Sequence, residues 1–295
     1  MKSPIVILAY NRPKHLHDML EKLKSILDKD NSKRDVYLFI DGPKNNDDIG
    51  NSESVLRVAN DFLNKNVITH IIVSEKNKGL SESVINAVSY VLKEHESIIV
   101  LEDDILVSDD FLPFIDSCLE LYKDRSDICS VTGFSYKDIP SSKLYPILCN
   151  RAMSWSWATW KNKWFDVNFD AEFYRANRES LLTDVSNQNI GADIKKMLDG
   201  YLAKKIDSWY VRWTLYNYYL KRLTIYPSIG LISNIGFDGS GVNCSISQGK
   251  TYKNKGIKNV ISMDCSSLSK DKFFEKALVS SFNPSLLVRI YRKLF

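Results

Sequence analysis

The stretch "SIIVLEDDILVSDDFLPFIDSCLELYKD", residues 97–124, decides the fold. Four apolar residues, Ile98 to Leu101, run straight into Glu102, Asp103 and Asp104. An uninterrupted apolar run that ends in charge reads as a strand buried on both faces, over 97–103. Apolar residues then resume at helical spacing, so a helix is predicted over 109–124 with Asp109 and Asp110 at its start. Three adjacent carboxylates repel one another and are tolerated when something positive sits among them. A hard divalent cation with oxygen ligands is the usual answer. The plainer reading is a solvated loop leading into a helix.

Outward from this point the first half alternates. "PIVILAY" (4–10), "DVYLFID" (35–41), "THIIVSE" (69–75) and "ICSVTGF" (128–134) are strand-like, with β-branched residues prominent. Between them, 14–27, 52–65 and 80–94 carry apolar residues at helical spacing, with Ser52 and Ser81 as expected N-caps. This rhythm predicts an α/β fold, a mostly parallel sheet flanked by helices. Ligands of such sheets sit beyond the carboxyl ends of the strands. The polar clusters "AYNRP", "DG", "EKNKG" and "EDD" follow four successive strands and so would line one rim.

The second half is less regular. "SWSWATWKNKWF" (154–165) holds four tryptophans. Trp157, Trp160 and Trp164 are spaced as one buried helix face; alternatively Trp155 or Trp157 lines a substrate pocket. Helices are predicted at 173–183 and 193–204, and an aromatic-rich one over 207–222 starting at Asp207. Residues 223–236 read as strand, turn, strand, and "FDGSGVN" (237–243) as a Gly-rich loop. The chain divides into 1–135, a second half 136–245 of the same domain, and 246–295. That last part is a polar stretch ending in the basic, amphipathic "PSLLVRIYRKLF" (284–295). Such an end suits an anionic membrane surface, or packs on the protein.

The bulk composition excludes several classes. With 295 residues, 44% hydrophobic and 26% charged, the chain is an ordinary globular one. A net charge of +4 gives no ground for a nucleic-acid partner. The five cysteines are scattered, with no C-x-x-C pair, so neither a zinc site nor a disulfide framework is expected, and a reducing, cytoplasmic compartment is. The opening segment lacks a signal-like core, and no run of about 18 apolar residues suggests a membrane span. No G-x-G-x-x-G or P-loop pattern occurs, which argues against a dinucleotide enzyme or a P-loop NTPase.

"VLEDDILVSDDFLPF" resembles the metal-binding segment of the N-acetylglucosaminyltransferase I family and of related bacterial sugar transferases with the GT-A (Rossmann-like) fold. The resemblance spans roughly residues 4–240 and is poor beyond 245. It implies transfer of a sugar, with inversion, from a nucleotide-diphosphate donor (a UDP-sugar) to a glycan acceptor, assisted by Mn2+ or Mg2+. By the same resemblance, Arg12 of "LAYNRP" lies near the base or diphosphate and Asp41 near the uracil. Asn77 or Lys78 would lie near the ribose. Asp104 would ligate the metal, Asp103 would contact ribose or metal-bound water, and Glu102 would face the sugar. "IDSW" (206–209) is similar to the segment that supplies the catalytic base, here Asp207, which could equally be only a helix cap. Trp155, Trp157 and Trp209 are expected at the substrate pocket.

The expectation is therefore a hexosyl- or N-acetylhexosaminyltransferase in bacterial surface polysaccharide synthesis. Its acceptor would be carried on a lipid diphosphate, and the protein would sit peripherally on the inner face of the cell membrane. Two alternatives stand beside it: a sugar-1-phosphate nucleotidyltransferase, disfavoured because "AYNRPKHL" has no glycine, and a catalytically inactive domain that binds glycan or membrane.

Overall fold

The computed structural model describes residues 2–30, 33–139, 143–183, 190–239 and 262–282. The final "PSLLVRIYRKLF", its membrane role, residues 240–243 of "FDGSGVN" and most of the polar stretch after 245 lie outside the described residues. Among the described residues, no helix is long and apolar enough to cross a membrane.

The first strand, β1 (Ile5–Ala9), is buried along its whole length. Its residues alternate between two cores: Ile5, Ile7 and Ala9 pack with Leu16, Met19, Leu20 and Leu23, while Val6 and Leu8 pack with Val84, Ala87 and Val88. Helix α1 (Pro13–Leu27) starts at a proline, whose missing N–H costs nothing at that position. Strands β2 (Val36–Ile40), β3 (His70–Val73) and β4 (Ser97–Glu102) alternate with α2 (Ile49–Asn64) and α3 (Gly79–Leu92). Next come β5 (Ile105–Val107), α4 (Phe111–Leu121) and β6 (Ile128–Thr132). The second half supplies β7 (Lys143–Leu144), β8 (Pro146–Cys149), β9 (Trp157–Trp160) and α5 (Lys161–Phe165). It continues with α6 (Ala171–Ala176), α7 (Arg178–Leu182), α8 (Asp193–Leu202) and α9 (Trp209–Tyr219). The last elements are β10 (Leu223–Pro227), β11 (Ile232–Asn234), β12 (Ser262–Met263) and a final helix α10 (Lys272–Phe282).

The central sheet has eight strands in the order β3-β2-β1-β4-β9-β6-β10-β8. β9 runs antiparallel to both β4 and β6, and β8 antiparallel to β10; the other pairings are parallel. The sheet is thus mostly parallel with helices on both faces, as the alternation of apolar runs predicts. Strands from beyond residue 135 complete it.

Several local expectations are corrected. Ser52 does not cap α2: the Asn45 side chain caps a short 3-10 turn over Asn46–Asp48, and the chain enters the helix at Ile49. Ser81 lies inside α3 rather than at its cap. Trp157 and Trp160 do not share a helix face with Trp164, because 157–160 is strand. Wedged between β4 and β6, that segment satisfies both ladders and sends Trp157 and Trp160 into opposite cores. Helix α9 starts at Trp209, with Ser208 as N-cap accepting the Val211 N–H, rather than at Asp207. β10 and β11 are not a hairpin. β11 pairs antiparallel with β5, a short strand just past the acid triplet.

Candidate active site

A cavity of about 770 Å³ opens at the carboxyl ends of β1, β2 and β4 and at the start of α3. Its lining includes Arg12, Asp41, Asn77, Lys78, Glu102, Asp103, Asp104 and Asp207, together with Tyr10, Asn11, Lys44 and Lys205. The fold therefore gathers every polar candidate site residue from the sequence into one place.

The acid turn is fixed by backbone. Glu102 ends β4 in register with Leu8, the Asp103 N–H donates to Leu8 O at 3.1 Å, and Asp104 O accepts the Ile235 N–H at 2.9 Å. Asp103 and Asp104 are buried. Their charge is met by Arg12, which donates through Nη2 to Asp103 and through Nη1 to Asp104 Oδ2 at 2.8 Å. Burial works against the Arg12 charge, and the two aspartates more than offset it, so its pKa rises. Burial also lifts the carboxyls. Glu102 is pushed up to about 8, by burial first and then by Asp104 and Asp103. Asp103 is raised to about 6 by burial, with Arg12 pulling the other way.

The pairing of β11 with β5 brings Gly236 against this cluster. A Cβ at Gly236 would overlap Asp104 Oδ2, come within 2.9 Å of Asp104 Cγ and within 3.0 Å of Arg12 Nη1. Only glycine fits there. His15 Nε2 lies 3.2 Å from Asp238 Oδ2, two residues further on.

Across the cavity, two carboxylates from distant segments cap α3. Asp41 Oδ1 accepts the Lys78 N–H (2.9 Å) and Asp41 Oδ2 the Gly79 N–H (3.0 Å). Asp207 Oδ2 accepts the Ser81 N–H at 3.0 Å. These are N–H groups that a helix cannot satisfy itself. Gly79 takes φ +77, and a Cβ there would stand 3.1 Å from Asp207 Oδ2, so both backbone and space call for glycine. Asn77 Nδ2 donates to Gly42 O at 2.9 Å and to Asp41 Oδ2 at 3.2 Å. Behind Asp207, the buried Arg212 donates to Ser81 Oγ (3.0 Å), Phe169 O (2.7 Å) and Ser208 O (3.3 Å), tying α9 to α3.

Residues that the sequence reading missed complete the rim. Asp48 accepts from Tyr10 Oη and Asn11 Nδ2, both at 2.7 Å, and so fixes the loop after β1. Burial and this bond push the Tyr10 hydroxyl up to about 12. Lys44, Lys205 and Gly236 also carry no motif; only their neighbours in space mark them.

The tryptophans expected at the substrate pocket lie outside this cavity. Trp157 and Trp209 are 1% and 2% exposed and do not reach the cavity. They stack at 5.0 Å within a cluster that includes Trp164 and Trp213, filling the core between sheet, α3 and α9. Trp155 is half-buried against Phe134 and Phe237 and does not line the cavity either.

A divalent cation can be tested against these atoms. Asp104 Oδ1 is buried without a hydrogen-bond partner among the described residues, an unmet acceptor beside a tightly packed glycine. A carboxylate oxygen of this kind suits Mn2+ or Mg2+. Among the described residues, no group of three or more His, Cys, Asp or Glu side chains could hold a metal by itself. A cation here would therefore take Asp104 as one ligand, and the remainder would come from a ligand and water.

No family model matches the chain, and no curated protein matches it. Among solved structures it is similar to Staphylococcus aureus TarS 1–349, with 14% identity over 77% of this chain and 60% of that one, and a TM-score of 0.41. It is also similar to an active-site mutant of LgtC, with 10% identity, 98% and 99% coverage, and a TM-score of 0.42. A third is the mannosyltransferase PcManGT from Pyrobaculum calidifontis in complex with GDP-Man and Mn2+, with 12% identity, 54% and 45% coverage, and a TM-score of 0.34. The chain spans about 60% of the TarS fragment's length. Identity and overlap this low carry no function across, so the functional reading rests on the site.

Proposed function

We propose that this protein is a metal-dependent, inverting glycosyltransferase of the GT-A type. It would move a sugar from a nucleoside-diphosphate donor, a UDP-sugar by sequence resemblance, to a glycan acceptor. The observation that carries the reading is the cavity itself. The Glu102–Asp104 cluster with Arg12 stands at the end of β4, and a separate exposed carboxylate, Asp207, enters from the segment before α9.

An inverting displacement needs a base on the acceptor side of the anomeric carbon and positive charge on the leaving-group side. Asp207 meets the first need: one oxygen is anchored on the Ser81 N–H, which orients the carboxylate toward the cavity it lines. Taking the acceptor hydroxyl proton in the transition state is worth typically about 10²–10⁴-fold. Arg12, Lys44, Lys78 and Lys205 line the cavity and would balance the diphosphate. A divalent cation held in part by Asp104 would act as a Lewis acid on the departing nucleoside diphosphate. Asp41 and Asn77 shape the wall beside them, where the nucleoside would lie. We further propose, from sequence alone, that the acceptor is lipid-diphosphate-linked, in bacterial surface polysaccharide synthesis at the inner face of the membrane.

Asp207→Asn tests the reading, because asparagine retains an oxygen for the Ser81 N–H. UDP binding with Mn2+, followed by calorimetry, is expected to persist while transfer falls at least about 10²-fold. Normal turnover in that variant removes Asp207 as the base. A wild-type protein that binds no nucleoside diphosphate with Mn2+ sinks the whole assignment.

A further inference from the structure

Asp104 already holds a cation, and that cation is part of the protein. Arg12 Nη1 donates to Asp104 Oδ2 at 2.8 Å while Nη2 binds Asp103, so one guanidinium bridges two buried carboxylates. Asp104 Oδ1, on the other side of the same carboxylate, has no hydrogen-bond partner among the described residues. A divalent ion arriving at Asp104 would share that one carboxylate with the guanidinium, and two cations so close repel strongly where little water screens them. Backbone closes one way out: Gly236 packs so tightly that a Cβ would stand 3.0 Å from Arg12 Nη1. The direction left open is the cavity, which Arg12 also lines. A guanidinium freed from Asp104 is well matched there to phosphate oxygens, which it can bind in a fork.

We propose that Arg12 is the metal's place-holder. In the donor-free protein it neutralises Asp104 and keeps divalent cations weakly bound. A nucleoside diphosphate draws the guanidinium off Asp104, and the metal then takes the vacated carboxylate. Metal and diphosphate therefore bind as a mutually dependent pair, and neither is held well alone. The inference rests on the donor reading above only for the identity of the diphosphate; competition between Arg12 and the metal stands without it.

The test is Mn2+ binding followed by electron paramagnetic resonance on the full chain, with and without saturating UDP, in wild type and in Arg12→Gln. Wild type is expected to bind Mn2+ weakly alone and about 5–150-fold more tightly with UDP, the usual span of coupling between sites. Arg12→Gln is expected to bind Mn2+ alone at least about tenfold more tightly than wild type, with most of the coupling gone. A folded Arg12→Gln protein that binds Mn2+ alone no more tightly than wild type overturns the proposal. So does wild-type Mn2+ affinity that ignores bound UDP. If the glutamine variant fails to fold, Arg12→Met decides, since methionine fills much of the same space without the charge; Mn2+ binding alone no tighter than wild type again refutes. Failure of wild type to bind UDP at all counts against the donor reading instead, and the Mn2+-only comparison still tests the place-holder.

Discussion

Gly236→Ala is the sharpest test of how the acid site is built. The backbone at Gly236 has no positive φ, so alanine meets no conformational penalty there and any effect is steric. The added Cβ would overlap Asp104 Oδ2, with Asp104 Cγ at 2.9 Å and Arg12 Nη1 at 3.0 Å, where real Cβ contacts essentially never fall below 3.0 Å. Asp104 is only 3% exposed and already bonded to Arg12, so it cannot yield freely. If the β11 end shifts instead, the cost is that of an overpacked site, about 1–3 kcal/mol. If Asp104 turns away and its buried ion pair breaks, the cost approaches about 3–5 kcal/mol. At roughly 2–4 °C per kcal/mol, the melting midpoint should drop by about 2–12 °C in the first case and about 6–20 °C in the second. Thermal melts give the stability, and calorimetry with UDP and Mn2+ gives the site. Both should suffer, because the displaced oxygen belongs to the carboxylate proposed to hold the metal. A midpoint within about 1 °C of wild type, together with unchanged Mn2+-dependent UDP affinity, would refute the placement of Gly236 against Asp104.

Three further outcomes are expected. Arg151 is fully buried, forks onto Asp193 with two bonds of 2.8 Å and donates to Ile190 O and Tyr210 Oη. Arg151→Ala should cost about 3 kcal/mol, the low end for a broken buried pair because Asp193 keeps some water contact; an unmoved urea midpoint would refute this. Glu102 (about 8) and Asp103 (about 6) titrate above their ordinary values, so the folded chain binds more protons than the unfolded chain between about pH 4 and 8. Stability is therefore full below that window and declines as pH rises through 6 and then 8. The melting midpoint of chelator-treated protein should fall from pH 5 to 8.5, less so in Glu102→Gln, and identical slopes in the two proteins would count against a raised Glu102. Trp209→Phe should lower stability by about 1–3 kcal/mol and leave UDP affinity within about twofold. A large affinity loss at unchanged stability would return Trp209 to the pocket wall.

The rim was legible because the sequence writes it one strand at a time. Each parallel strand is an apolar run, and the polar residues just past every run sit at the same edge of the sheet. Arg12, Asp41, Lys78 and the acids could therefore be grouped without coordinates. Asp207 was readable only through resemblance: no local pattern tells that its carboxylate caps α3 rather than its own helix. The tryptophans misled because spacings of three and four fit a helix face, while pairing with β4 and β6 won and made 157–160 a strand. Gly236 was invisible for a related reason. It reaches Asp104 through the pairing of β11 with β5, two three-residue strands far apart in sequence, and glycines in a turn-like stretch carry no sign of which carboxylate they will meet. Asp48 escaped notice in "NNDDIG", where its bonds to Tyr10 and Asn11 depend on the loop after β1 folding over it.

The start of α3 settles how this cavity can handle phosphate. A free helix N-terminus is a ready anion site, through its unpaired N–H groups and its dipole. Here that end is already spent. Asp41 takes the Lys78 and Gly79 N–H groups and Asp207 takes that of Ser81, so two carboxylates offset the dipole. A phosphate placed there would have to displace one of them and meet the charge of the other. A diphosphate bound as proposed would therefore be balanced by side chains and by any bound cation, on the Arg12 and Asp104 side of the cavity. Using the helix end for carboxylates instead fixes Asp207 on a rigid element. It also ties Asp207 to Asp41 through the first turn of one helix, so the residues proposed as acceptor-side base and nucleoside-side wall keep a set spacing. In the proposed reaction, leaving-group charge would then be met by cations rather than by the helix end, which makes the state of Arg12 decisive for it.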